Sequence, residues 1–156
     1  MTAVFDVGGY PWTLGLPALA ENDTQAPHVV AAGPLITTLD HWLNLPAERQ
    51  FIYLSSDSAA KAGVHYLKSI GSSAVKVWFI VTPTRDFDEM ARLVHTVGRE
   101  AKAVGLPMIV HATGLREAKV AVDAGAKVLV HSVDDKPVDE EFIRLMKGTA
   151  RSIARR

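Results

Sequence analysis

Leu106-Pro107-Met108-Ile109-Val110-His111-Ala112 and Ala126-Lys127-Val128-Leu129-Val130-His131-Ser132 are two renderings of one pattern. Each is a short apolar run that ends in histidine and then a small residue, and the histidines lie 20 positions apart. Runs of this length, preceded by Gly105-Leu106-Pro107 in one case and by Gly125 in the other, read as buried strands. Twenty residues accommodate one helix and its connections, so the two strands run parallel, joined by a right-handed crossover. Parallel neighbours sit ~4.8 Å apart, and both imidazoles then emerge at the same carboxyl edge of a sheet.

The same alternation extends outward. Val4-Phe5-Asp6-Val7, His28-Val29-Val30-Ala31-Ala32 and the run from Ala74 to Ile80 read as further buried strands. Between them, residues 57–70 place Ala60, Val64, Leu67 and Ile70 at helical spacing, and residues 86–104 do so with Met90, Leu93, Val94, Val97, Ala101 and Val104. Asp86 followed by Glu89 has the form of a capping box, and Gly105-Leu106-Pro107 stops that helix. Further helices are expected over about 115–124 and 138–147, the latter with Asp139, Glu140 and Glu141 in its first turn. Residues 8–56 hold five of the eight prolines and are expected to form long loops and short helices over one end of the sheet. Strand–helix repetition makes this an α/β chain, either an open doubly wound sheet or part of a TIM-type (β/α) barrel. No G-x-G-x-x-G opens a helix, which disfavours a dinucleotide-binding sheet.

Composition excludes several function classes. The 156 residues are 48% hydrophobic and 22% charged, within the ordinary globular range. Seventeen basic and seventeen acidic side chains cancel, giving no support for nucleic-acid or membrane-surface binding. Cysteine is absent, so any metal must be held by nitrogen and oxygen ligands. No apolar run approaches the ~20 residues that span a bilayer, and no secretory pattern opens the chain. A cytoplasmic location is the expectation, unless an export signal precedes residue 1.

Three residues could carry chemistry. Strand alternation puts Ile109 with His111 on one face and Leu129 with His131 on one face, and if those faces point into a barrel the imidazoles converge at its catalytic end. A matched pair of strand-end histidines reads as a ligand pair for zinc, nickel or manganese. Lys76 interrupts the apolar strand Ala74-Val75-Lys76-Val77-Trp78-Phe79-Ile80, one unit before His111. A lysine there is costly unless its charge is paired or removed. It is either a rim lysine snorkelling to water or a neutral amine able to take up carbon dioxide as a carbamate that bridges two cations.

The order of strand lysine, strand-end histidine and strand-end histidine resembles the amidohydrolase superfamily, in its imidazolonepropionase-like and Xaa-Pro dipeptidase-like members. Thr2-Ala3-Val4-Phe5-Asp6-Val7-Gly8-Gly9 is similar to that family's second barrel strand, and residues 27–37 (PHVVAAGPLIT) to its third. Val75-Lys76-Val77 is similar to the fourth, the two histidine segments to the fifth and sixth, and Ala121-Val122-Asp123-Ala124-Gly125-Ala126 to the stretch before the sixth. The likeness covers residues 2–148. It implies a partial barrel, about strands two to six, in a single domain of loop-rich 1–56, regular 57–148 and an atypical tail 149–156. It makes Lys76 the carboxylated bridging ligand and His111 and His131 ligands of the second metal. It implies one or two divalent ions, zinc first, and hydrolysis of carbon–nitrogen bonds in a small-molecule amide or dipeptide. His41 stands near a loop position where relatives place a histidine after Gly-Gly. Here it follows Leu39-Asp40, so a substrate-binding role competes with that of a solvated loop histidine.

The chain departs from the family pattern in two places. No His-x-His occurs, and nothing after Ser132 has the look of a seventh or eighth strand carrying the family's aspartate. Asp134 and Asp135 follow the sixth strand too closely to replace it, and the ending Ala150-Arg151-Ser152-Ile153-Ala154-Arg155-Arg156 is neither apolar nor strand-like. The expectation is a truncated form with five strands, an unclosed sheet and little or no activity alone. Two other readings compete: a non-catalytic assembly module completing its sheet as a homo-oligomer, and a flavodoxin-like domain using the histidines structurally.

Overall fold

A computed structural model describes residues 2–40, 49–148 and 152–153. The elements are β1 (Ala3–Asp6), a 3-10 turn (Pro11–Gly15), α1 (Leu16–Glu21), β2 (His28–Ala31), β3 (Leu35–Thr37), β4 (Phe51–Tyr53) and α2 (Asp57–Ser69). They continue as β5 (Val75–Trp78), α3 (Phe87–Ala103), β6 (Met108–His111), α4 (Leu115–Asp123), β7 (Val128–Leu129), α5 (Glu140–Lys147) and β8 (Ser152–Ile153). Every strand pair is parallel. β1 pairs with β2, and the larger sheet runs β4-β3-β5-β6-β7-β8.

The helices form where local signals agree. Ser56, Asp86 and Asp139 each accept a backbone N–H three residues on and so cap α2, α3 and α5. Asp139 is therefore the cap of α5 rather than a member of its first turn. Helix α3 turns Met90, Leu93, Val94, Val97 and Ala101 onto Val77, Met108 and Val110, all buried in one core between the sheet and the helices. Each fully buried Val or Leu side chain contributes about 1.5–3 kcal/mol of transfer free energy. Alternation sends the other residues of these strands to the opposite face, where Ala32, Ala74 and Ile109 pack with Val128 and Val130. That second face is the inside of the curved wall, and Lys76 lies on it between Leu35 of β3 and Ile109 of β6.

Three expectations are corrected. The stretch 8–56 holds, besides its loops, short helices and the strand segment expected within 27–37, one further strand, β4. The segment 28–37 is one extended strand broken at Gly33-Pro34; its first half pairs with β1 and its second half with β4 and β5. The chain has eight strands among the described residues rather than five, and the tail supplies one of them. Val128 and Leu129 pair with Ser152 and Ile153. Two residues of strand leave almost no pattern to read, and their pairing is set by β7 rather than by their own composition.

Candidate functional site

Lys76, His111 and His131 come from three successive staves, β5, β6 and the segment following β7. Lys76 is 2% exposed, and burial pushes its ammonium down to about 8 from an ordinary 10.5. Among the described residues it forms no ion pair, and burial alone accounts for the lowered value. It is not a rim lysine reaching for water. Gly8 lies against its stem: a Cβ there would stand 3.0 Å from Lys76 Cγ and 2.4 Å from Leu35 Cδ2. The φ of +128° at Gly8 is also open only to glycine, so both backbone and packing demand that residue.

His111 ends β6 opposite Trp78. Its ring centroid lies 4.7 Å from that of His131, with the planes 82° apart, and 6.0 Å from that of Trp78. Phe51, at the start of β4 and level with Lys76, follows at 5.3 Å from Trp78, so a row of four rings runs from His131 at the carboxyl edge down to Phe51. The imidazoles meet as expected, but by a different route on one side. Leu129 faces the helix-side core, and Val128 and Val130 face inward. Pure alternation would therefore send His131 outward. The strand stops at Leu129, however, and bends at residues 130 and 131 bring the ring to His111.

The edge is tied together by backbone groups and one arginine. Phe79 N–H donates to the His111 carbonyl at 3.0 Å. Thr38 Oγ1, at the end of β3, donates to the Ile80 carbonyl at 2.7 Å and accepts from Ile80 N–H at 2.9 Å. Arg85 Nη1 donates to the carbonyls of Thr38 (2.9 Å) and Leu54 (3.0 Å). Asp135 Oδ1 accepts from Leu115 N–H at 2.8 Å and so stands at the start of α4, which has a glycine at its cap. With Asp134, Glu117, Thr113 and Ile80, it lines a cleft of about 320 Å³ that also reaches His111. Sequence reasoning missed Trp78, Phe51 and Arg85. The aromatic row had a signal, since Trp78 is two residues from Lys76 and so shares its face. His41 lies outside the described residues.

No family model and no curated sequence matches the chain. Solved structures do match. A Xaa-Pro dipeptidase with methionine bound in its active site has a TM-score of 0.73 at 21% identity, over 98% of this chain and 41% of that one. An amidohydrolase gives 0.72 at 16% identity over 98% and 42%, and the A. niger ochratoxinase gives 0.72 at 18% over 97% and 40%. The fold is part of a TIM-type (β/α) barrel of the kind these structures have. The chain spans about two fifths of the length of these structures. In such a barrel the carboxyl edge that bears Trp78, His111 and His131 is the end where active sites assemble.

The donor set suits a metal ion in part. Two imidazoles sharing one tetrahedral ion, each nitrogen ~2.1 Å from it, have ring centroids roughly 5 Å apart. The observed 4.7 Å is a little shorter than that and has the edge-on geometry of a direct ring contact, so the rings stand close enough to share an ion after a small separation. Among the described residues, no cluster of three or more histidine or carboxylate side chains stands ready as a full ligand shell. The pair plus Lys76 is thus an incomplete set. No described helix is long and apolar enough to cross a membrane.

Proposed function

We propose that this chain carries part of the metal centre of a hydrolase acting on carbon–nitrogen bonds of a small-molecule amide or dipeptide. The observation that carries the reading is the convergence of His111 and His131, ring against ring, on the inward face that also buries Lys76. His111 and His131 would hold a divalent ion, zinc first, through one nitrogen each. Lys76 would join them as its carbamate. The amine lone pair bonds to the carbon of CO2, a C=O pair moves onto oxygen, and the departing N–H proton goes to water. Burial favours this step, because it keeps a larger share of the amine neutral at physiological pH than a solvated lysine has. The ion, when bound, polarises an amide carbonyl and lowers the pKa of water. The chain's own residues then orient: the aromatic row Phe51-Trp78 walls the pair on one side, and Gly8 leaves room for the lysine stem.

The neighbours lend support by their own activities, being named as a dipeptidase, an amidohydrolase and an ochratoxinase. The test is zinc titration of the 156-residue chain against a chromophoric chelator, with and without bicarbonate. Wild type should bind zinc. H111A and H131A should each weaken binding by at least about tenfold, and bicarbonate should tighten it in wild type but not in K76M. Binding that ignores both histidines would refute the reading. With two imidazoles and one lysine as the set, turnover of a Xaa-Pro dipeptide by this chain is expected near background.

A further inference from the structure

We propose that Arg85 is a positioning residue for the His111–His131 pair, acting through the loop that follows β5. This rests on the reading of that pair as a metal site, yet its structural content stands apart from it. Arg85 sits one residue before the cap of α3, and its side chain is only 14% exposed. One nitrogen, Nη1, donates to two carbonyls from different strand ends: Thr38, just past β3, and Leu54, just past β4. The guanidinium carbon lies 5.4 Å from the centroid of the Tyr53 ring, and Nη2 stands 3.8 Å from Glu89 Oε1. A planar, permanently charged fork can hold two carbonyls, a ring and a carboxylate together in a way that a lysine ammonium cannot.

The grip passes to His111 in two steps. Thr38, whose carbonyl Arg85 holds, clasps Ile80 through its hydroxyl, and its own N–H donates to the Trp78 carbonyl at 3.1 Å. Residues 78 and 80 are thereby fixed on either side of Phe79, whose N–H donates to the His111 carbonyl. Trp78 also carries the ring that abuts His111. Fixing the loop therefore fixes both the backbone and the ring contact that set the imidazole's direction. Lys76 enters the same strand two residues earlier. Charged hydrogen bonds to buried carbonyls are the stronger kind.

The experiment compares amide hydrogen exchange at the two ends of β5 in the metal-free 156-residue chain, together with zinc affinity. Phe79 N–H bonds His111 at the carboxyl end, and Val75 N–H bonds the Pro107 carbonyl at the other. In R85M, protection at Phe79 should fall about tenfold more than at Val75, and zinc affinity should drop roughly tenfold. R85K should fall between wild type and R85M on both readouts. Equal loss at Phe79 and Val75 would mean plain destabilisation and would overturn the proposal, as would no change at either. If wild type binds no zinc, the functional reading fails, and the exchange comparison decides the role of Arg85 by itself. If R85M does not fold, R85K is read by the same two amides and the same criteria.

Discussion

Replacing Lys76 by methionine keeps an unbranched stem and deletes the amine, and the consequence for stability can be worked from its burial. The ammonium titrates near 8 in the folded chain and near 10.5 when unfolded. Its pKa is lowered by folding, so the sign runs opposite to that of a lysine that gains a partner. Below about pH 8 both states hold the proton, and the folded chain carries the full cost of a buried charge. Between about 8 and 10.5 the folded chain sheds the proton while the unfolded chain keeps it, so stability rises with pH across that window and then levels. A gap of about two and a half pH units, at about 1.4 kcal/mol each, sets the cost at no more than about 3.5 kcal/mol. Lys76 is 2% exposed, so solvent does little to screen it. K76M is therefore expected to exceed wild type by about 2–3 kcal/mol at pH 7, with the difference vanishing towards pH 10.5. Urea denaturation of both chains, at matched pH in chelator and without CO2, measures this. Taking the difference between chains cancels the tyrosines and solvated lysines that titrate in the same range. A constant difference from pH 7 to 10.5, or a mutant less stable than wild type at pH 7, would refute the reasoning.

Two further perturbations probe the scaffold. At Gly98 of α3 a Cβ would stand 2.0 Å from the Ala124 carbonyl oxygen, a backbone atom with no room to yield; G98A should lose about 2 kcal/mol by urea denaturation, although alanine is the better helix former by about 1 kcal/mol. Asp86 accepts from Glu89 N–H at 2.8 Å at the start of α3, so D86A should cost about 1 kcal/mol and fray the first turn, seen as faster amide exchange at Glu89.

What could be read in advance follows the range of the forces involved. Helices α2, α3 and α4 fall within a residue or two of their expected bounds, because their caps, glycine stops and apolar spacing all lie within a few neighbours. β3 was covered only by the likeness of 27–37 to a barrel strand, and β4 escaped, because three residues carry too little alternation and both owe their form to partners 16 or more residues away. Lys76 stood out because a charge in an apolar strand is conspicuous. The meeting of His111 with His131 was legible from the 20-residue repeat, but the face argument for His131 was not, since it assumed the strand continues to the ring. The Arg85 clamp left no trace at all. Its acceptors are main-chain carbonyls of Thr38 and Leu54, which any residue supplies, so the sequence holds nothing to mark the contact.

The strand broken at Gly33-Pro34 changes neighbours half-way along: its lower part is held by β1 and its upper part by β4. Each excursion, from β1 to β2 and from β3 to β4, is thus anchored to its own segment of backbone. One connection can therefore be lengthened or shortened without shifting the alignment of the other, which makes this seam a natural point for loop grafting.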